Sequence, residues 1–120
     1  MNPLKINFIH LLQLLSSVED QDRYQSEVNV DIAGELVCMW FDDFYGRGVR
    51  ERLAPLLSAR ELELVDGFHS YYEARVDHLP QTYAKLRESE RWGEVRQKAR
   101  DTLTTLGWDK VQTVWGFGAV

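Results

Sequence analysis

Apolar side chains return every three or four positions along most of the chain, a spacing that predicts helices. Near the N-terminus Leu4, Phe8, Leu11, Leu12, Leu15 and Val18 fall on one helix face. Asn2-Pro3 marks the start, with Asn as cap and Pro at the first helical position. The polar run Glu19-Asp20-Gln21-Asp22 either ends this helix or extends it into solvent. A second helix is predicted from about Val30 to Tyr45, with Ile32, Leu36, Met39, Trp40 and Phe44 as its buried stripe. Gly46-Arg47-Gly48 breaks it, and a short helical turn follows over Val49 to Leu57, with Pro55 near its end.

Ser58-Ala-Arg-Glu61 has the form of a capping box: the Ser hydroxyl takes a free N–H of the first turn and the Glu returns to the Ser N–H. It opens a third helix that turns Leu62, Val65, Phe68, Tyr72, Val76 and Leu79 inward and is predicted to end at Pro80. A fourth, about Trp92 to Leu106, buries Trp92, Val95, Ala99, Leu103 and Leu106 and stops at Gly107. Beyond it, the β-branched Val111-Gln-Thr-Val-Trp115 reads as an extended tail over residues 107–120. The expected fold is therefore all-α: a single-domain bundle of about four main helices with a short extended C-terminal tail.

Composition agrees. A chain of 120 residues, 44 % of them apolar, is one domain with a real core. The lone Cys38 cannot form an internal disulfide, and within the apolar run Leu36 to Phe41 it reads as a small buried hydrophobe. No stretch reaches the roughly 18 uninterrupted apolar residues of a membrane span. The apolar patch from Phe8 to Leu15 is broken by His10 and Gln13 and lacks a small-residue cleavage site, so a cytoplasmic protein is expected.

Charge changes the picture more. The net charge of −5 is concentrated between residues 19 and 43, where eight acids face a single base, Arg23. The rest of the chain is slightly basic. On a helix Asp31 and Glu35 share a face, Asp42 follows seven residues on, and Glu27 joins the stripe if the helix starts early enough. Such a stripe is either a solvated face near a helix N-terminus, where acids are favourable, or a docking face for a basic protein. It repels nucleic acid and anionic membranes, so neither is expected as a partner. Trp40, Phe41, Phe44 and Tyr45 cluster beside Asp42 and Asp43, and one helix cannot bury all of them. Either the 49–57 segment covers them, or Phe41 or Tyr45 stands partly exposed among acids, as interface anchors do. The candidate partner-binding set is Glu27, Asp31, Glu35, Trp40, Phe41, Asp42, Asp43 and Tyr45.

Chemistry finds less support. His69, Glu73 and Asp77 line one helix face at intervals of four, yet the matching Glu-x-x-His motifs of a di-metal bundle are missing, and a polar stripe near Arg75 is the better reading. His10 reads as a boundary residue of the first helix. Neither a phosphate loop nor a Ser-His-Asp arrangement is present. Adjacent acids such as Asp42 and Asp43 point about 100° apart on a helix and do not make a general acid/base pair. No metal, cofactor or catalytic residue is expected, and oligomeric state is left open.

The stretch Glu35-Leu-Val-Cys-Met-Trp-Phe-Asp-Asp-Phe-Tyr45, the Leu-Ser-Ala-Arg-Glu-Leu block from Leu57, Phe68 through Pro80, and Trp92-Gly-Glu-Val-Arg-Gln-Lys-Ala99 together resemble the small helical immunity proteins of bacterial polymorphic toxin and contact-dependent growth inhibition systems. The likeness spans residues 35–106 and leaves the tail out. It implies a cytoplasmic protein that binds and neutralises a cognate toxin domain, often a nuclease, and it implies no catalytic residues. A small acidic chaperone or adaptor of a bacterial secretion pathway is the alternative class.

Overall fold

A computed structural model describes residues 2–112. Among them every regular element is helical. Helix α1 (Pro3–Ser16) begins as expected, the Asn2 carboxamide accepting from the Leu4 N–H at 2.8 Å. It buries more than one stripe: Phe8, Ile9, Leu11, Leu12, Leu14 and Leu15 are all at most 1 % exposed. The helix is therefore central, packed against α7, α2 and the segment after α3.

The polar run after α1 is a helix in its own right. Ser17 takes an extended backbone that ends α1, and its hydroxyl then accepts from the Asp20 N–H to cap α2 (Val18–Glu27). Glu19 and Asp20 sit in the first turn of α2, where the helix dipole favours them.

The continuous second helix expected from Val30 to Tyr45 is not what forms. Val30 is 58 % exposed, and the Asp31 side chain opens the turn instead. Helix α3 (Ala33–Cys38) is six residues long and passes directly into a π-helical segment, Met39–Phe44. Its i→i+5 bond runs from the Tyr45 N–H to the Trp40 carbonyl at 3.0 Å. Gly46 is needed here, because a Cβ would lie 1.8 Å from the Phe41 carbonyl oxygen. Arg47 and Gly48, both at positive φ, then turn the chain into α4 (Val49–Leu53) and a 3₁₀ turn (Ala54–Leu56).

The predicted capping box forms in both directions: Glu61 N–H to Ser58 Oγ at 3.1 Å and Ser58 N–H to Glu61 Oε1 at 2.8 Å. It opens α5 (Ala59–Val76), whose Val65, Phe68 and Tyr72 are fully buried. The helix ends four residues before Pro80, through two turn bonds at His78 and Leu79. A short helix α6 (Tyr83–Arg87), which the periodicity does not announce, precedes α7 (Glu90–Leu106). Gly107, at φ 72°, stops α7 as expected.

The bundle thus has seven α-helices among the described residues rather than about four. Beyond the four expected, of which α3 is the remnant of the second, stand α2, α4 in the expected short turn, and α6, each of at most ten residues. One core joins them. After α7, Trp108 is buried, and Gln13 of α1 donates to the Trp108 and Val111 carbonyls, tying residues 108–111 to the bundle. The rest of the expected extended tail, residues 113–120, lies outside the described residues. No helix among the described residues is long and apolar enough to cross a membrane.

Candidate partner-binding face

The acids of the segment fall into two sets with different work. Those of the first set, Asp20, Asp22 and Asp31, are wired into the fold. Asp20 pairs with Arg23. Asp22 takes a bidentate ion pair from Arg87 at 2.9 and 3.0 Å and a hydrogen bond from the Tyr83 hydroxyl at 2.6 Å. These donors, Arg87 first, hold the Asp22 carboxyl below its ordinary range. Asp31 accepts from the Ala33 N–H at 2.9 Å and, through both oxygens, from the Tyr83 N–H at 2.9 and 3.0 Å. One carboxylate therefore takes the first N–H of both α3 and α6. Asp31 lies outside the helix, so it does not share a helical face with Glu35 as expected.

The second set, Glu27, Glu35, Asp42 and Asp43, is different. Among the described residues no ion pair reaches Glu27, Glu35, Asp42 or Asp43. Glu27, Glu35 and Asp43 are exposed and Asp42 is half-exposed. Glu27 closes α2, apart from the helix that carries the others, while Glu35 is on α3 and Asp42 and Asp43 are on the π-helical segment. Cys38 belongs with the exposed acids and not, as expected, with the core. The apolar run Leu36 to Phe41 is broken by geometry: Leu36, Met39 and Trp40 turn inward, and that leaves position 38 outside. Partial burial, then Asp42, with Glu35 and Asp43 adding, pushes the Cys38 thiol up, which disfavours the nucleophilic thiolate.

The aromatic candidates sit at two depths. Trp40 is 0 % exposed and belongs to the core, packed on Phe8 and Phe68. It stands beneath the surface and offers a partner nothing directly. Phe41 and Tyr45 are half-buried. Phe41 packs on Tyr72 at 4.8 Å between centroids, and Tyr45 stacks on His69 at 3.9 Å. Their cover is thus supplied by rings of α5, while the 49–57 segment contributes Arg50. The Tyr45 hydroxyl donates to Asp66 at 2.7 Å, and Arg50 clamps the same carboxylate through two nitrogens at 2.8 and 2.6 Å. Arg50 holds the Asp66 carboxyl low, whereas burial and Asp66 push the Tyr45 phenol up to about 12.

His69, Glu73 and Asp77 do not come together as a ligand set. His69 Nδ1 accepts from the Trp40 indole at 3.1 Å, and Nε2 stands 3.5 Å from Glu73. No group of three such side chains suited to a metal ion occurs among the described residues. His10 is half-buried at the edge of α1, and burial lowers its pKa against the pull of Asp20. Asp66 and Arg50 look like ordinary polar positions in the sequence, and His69 stands out there only as part of a stripe with Glu73 and Asp77; the fold places all three under the docking candidates.

No protein-family model matches this chain, and neither a curated protein nor a solved structure matches it.

Proposed function

We propose that this protein is an immunity protein that binds a basic toxin domain, a nuclease by preference, through the face built on α3 and the π-helical segment. The observation that carries this reading is the acid set of Glu35, Asp43 and half-exposed Asp42, to which no basic side chain pairs among the described residues, on the same stretch as the half-buried rings of Phe41 and Tyr45. Glu27 extends the charge from the end of α2. Unpaired carboxylates cost a fold something through mutual repulsion and steer a cationic partner from a distance. Rings set among them supply the desolvated anchors from which interfaces draw most of their energy. π-helical turns recur at functional sites. A nuclease cleft that grips phosphates presents the complementary charge.

The chaperone reading has less to stand on, because Val30 is the one large apolar side chain classed as exposed among the described residues. The test is to look for a large secreted protein encoded beside this one and, where there is one, to co-express its C-terminal domain with this chain. The wild-type chain should restore growth and bind one to one. Replacing Glu35, Asp42 and Asp43 together by Lys should slow association by about tenfold or more at low salt, and the difference should shrink as salt screens the charges. Equal rescue and equal association by the triple variant would overturn the reading.

A further inference from the structure

One imidazole supports the docking segment from below. Three rings lean on His69: Tyr45 stacked at 3.9 Å and 13°, Phe41 at 5.4 Å and Trp40 at 6.4 Å. Trp40 is wholly buried, and its indole N–H donates to His69 Nδ1 at 3.1 Å. An indole can only donate, and an imidazole nitrogen accepts only while it carries no proton. The contact therefore defines one neutral tautomer, with the ring proton on Nε2 toward Glu73 Oε2 at 3.5 Å.

We propose that His69 is a proton-operated latch on the docking segment. A second proton occupies Nδ1 and removes the acceptor of Trp40. Turning the ring over restores nothing, because both nitrogens of an imidazolium donate. The indole donor is then left unpaired inside the core, and the segment it anchors, Met39 to Tyr45 with Asp42 and Asp43, loosens from α5. The groups facing the ring are Glu73 and Asp66 from α5 itself, the Tyr45 phenol from the end of the π-helical segment, and Arg50 from α4 behind Asp66. Glu73 and Asp66 give the charged ring counter-charges, Arg50 opposes them, and the uncharged phenol adds none. The inference rests on the proposed function only in making this segment the docking face.

Nuclear magnetic resonance of the ¹⁵N-labelled full chain tests it between about pH 8 and about pH 5, the interval in which histidine side chains change charge. The Trp40 indole resonance should move together with the His69 ring. The opening equilibrium at the Tyr45 amide, corrected for intrinsic exchange, should rise by about tenfold or more, while amides in the middle of α7 stay unchanged. The variant His69→Asn keeps a carbonyl acceptor and cannot take the proton, so its segment should not respond to pH. A Trp40 resonance that ignores the His69 titration, or a His69→Asn chain that opens as the wild type does, would sink the latch. If the asparagine variant fails to fold, the wild-type titration decides alone. If the segment opens yet toxin binding is the same at both pH values, the latch stands and the docking face fails.

Discussion

Gln21 shows how much one polar side chain can hold. It is 0 % exposed on a helix that is otherwise polar. Its amide donates to the Leu14 and Leu15 carbonyls at 3.0 Å each, satisfying the end of α1, and its oxygen accepts from the buried Trp92 indole at 2.9 Å. Replacing Gln21 by Leu fills similar space and leaves those partners unpaired, so the expected loss is about 2–3 kcal/mol, read as a lower urea midpoint. Gly46 is the second sensitive residue. Alanine there would drive its Cβ into the Phe41 carbonyl, and the π-helical turn has to shift. A cost of about 1–3 kcal/mol is expected, with the thermal midpoint as the readout. Neither role was legible in the sequence. Gln21 sits in a run of acids that reads as solvent-facing, and the close approach at Gly46 exists only once the turn has widened.

Elements divide into those that their own residues specify and those that partners hold. Helices α5 and α7 carry local instructions, a capping box and a terminal Gly107, and α5 starts and α7 ends where the pattern put them, while α5 stops four residues short of Pro80. Ser58→Ala should therefore cost about 1 kcal/mol by removing one cap. The short helices α3 and α6 depend on Asp31 from outside. Asp31→Ala should lower the urea midpoint appreciably, while Glu35→Ala should leave it almost unmoved, since no ion pair reaches the Glu35 carboxylate among the described residues. Equal effects of the two substitutions would erase the distinction between wired and free acids. The sequence places Asp31 and Glu35 four apart, and it cannot show that the helix starts between them.

At the scale of the whole molecule, acid should weaken the fold through specific carboxylates. Asp22 and Asp66 both have their folded pKa lowered from an ordinary value of 3.8, chiefly by Arg87 and Arg50. A lowered folded value means the folded state binds the proton less readily than the unfolded chain. The stability from these pairs is therefore complete above about pH 4–5 and drains away as pH falls through 3.8 and below. Unfolding measured from neutral pH down to about pH 2 should show this slope, and Asp66→Asn should flatten it. Tyr45 works at the other end: with its phenol at about 12, stability falls as pH rises past the ordinary tyrosine value of 10. Asp66 and Tyr45 meet at one joint, where Arg50 helps them fasten the acidic segment to α5, while the Asp22 pair ties α2 to α6.

By itself the sequence determined the helical class, the starts of α1 and α5, the end of α7, and the concentration of acid between residues 19 and 43. These are local facts, written in periodicity, caps and charge, and they need no neighbour. The tertiary structure decided which acids are spent inside the fold and which are free. It sank Trp40 into the core while leaving Cys38 outside, and it split one predicted helix into α3 and a π-helical turn. The reason is physical: a carboxylate is free or paired according to what stands within hydrogen-bond reach, and Tyr83, Arg87, Asp66 and His69 reach this segment from 21 to 65 residues away in sequence.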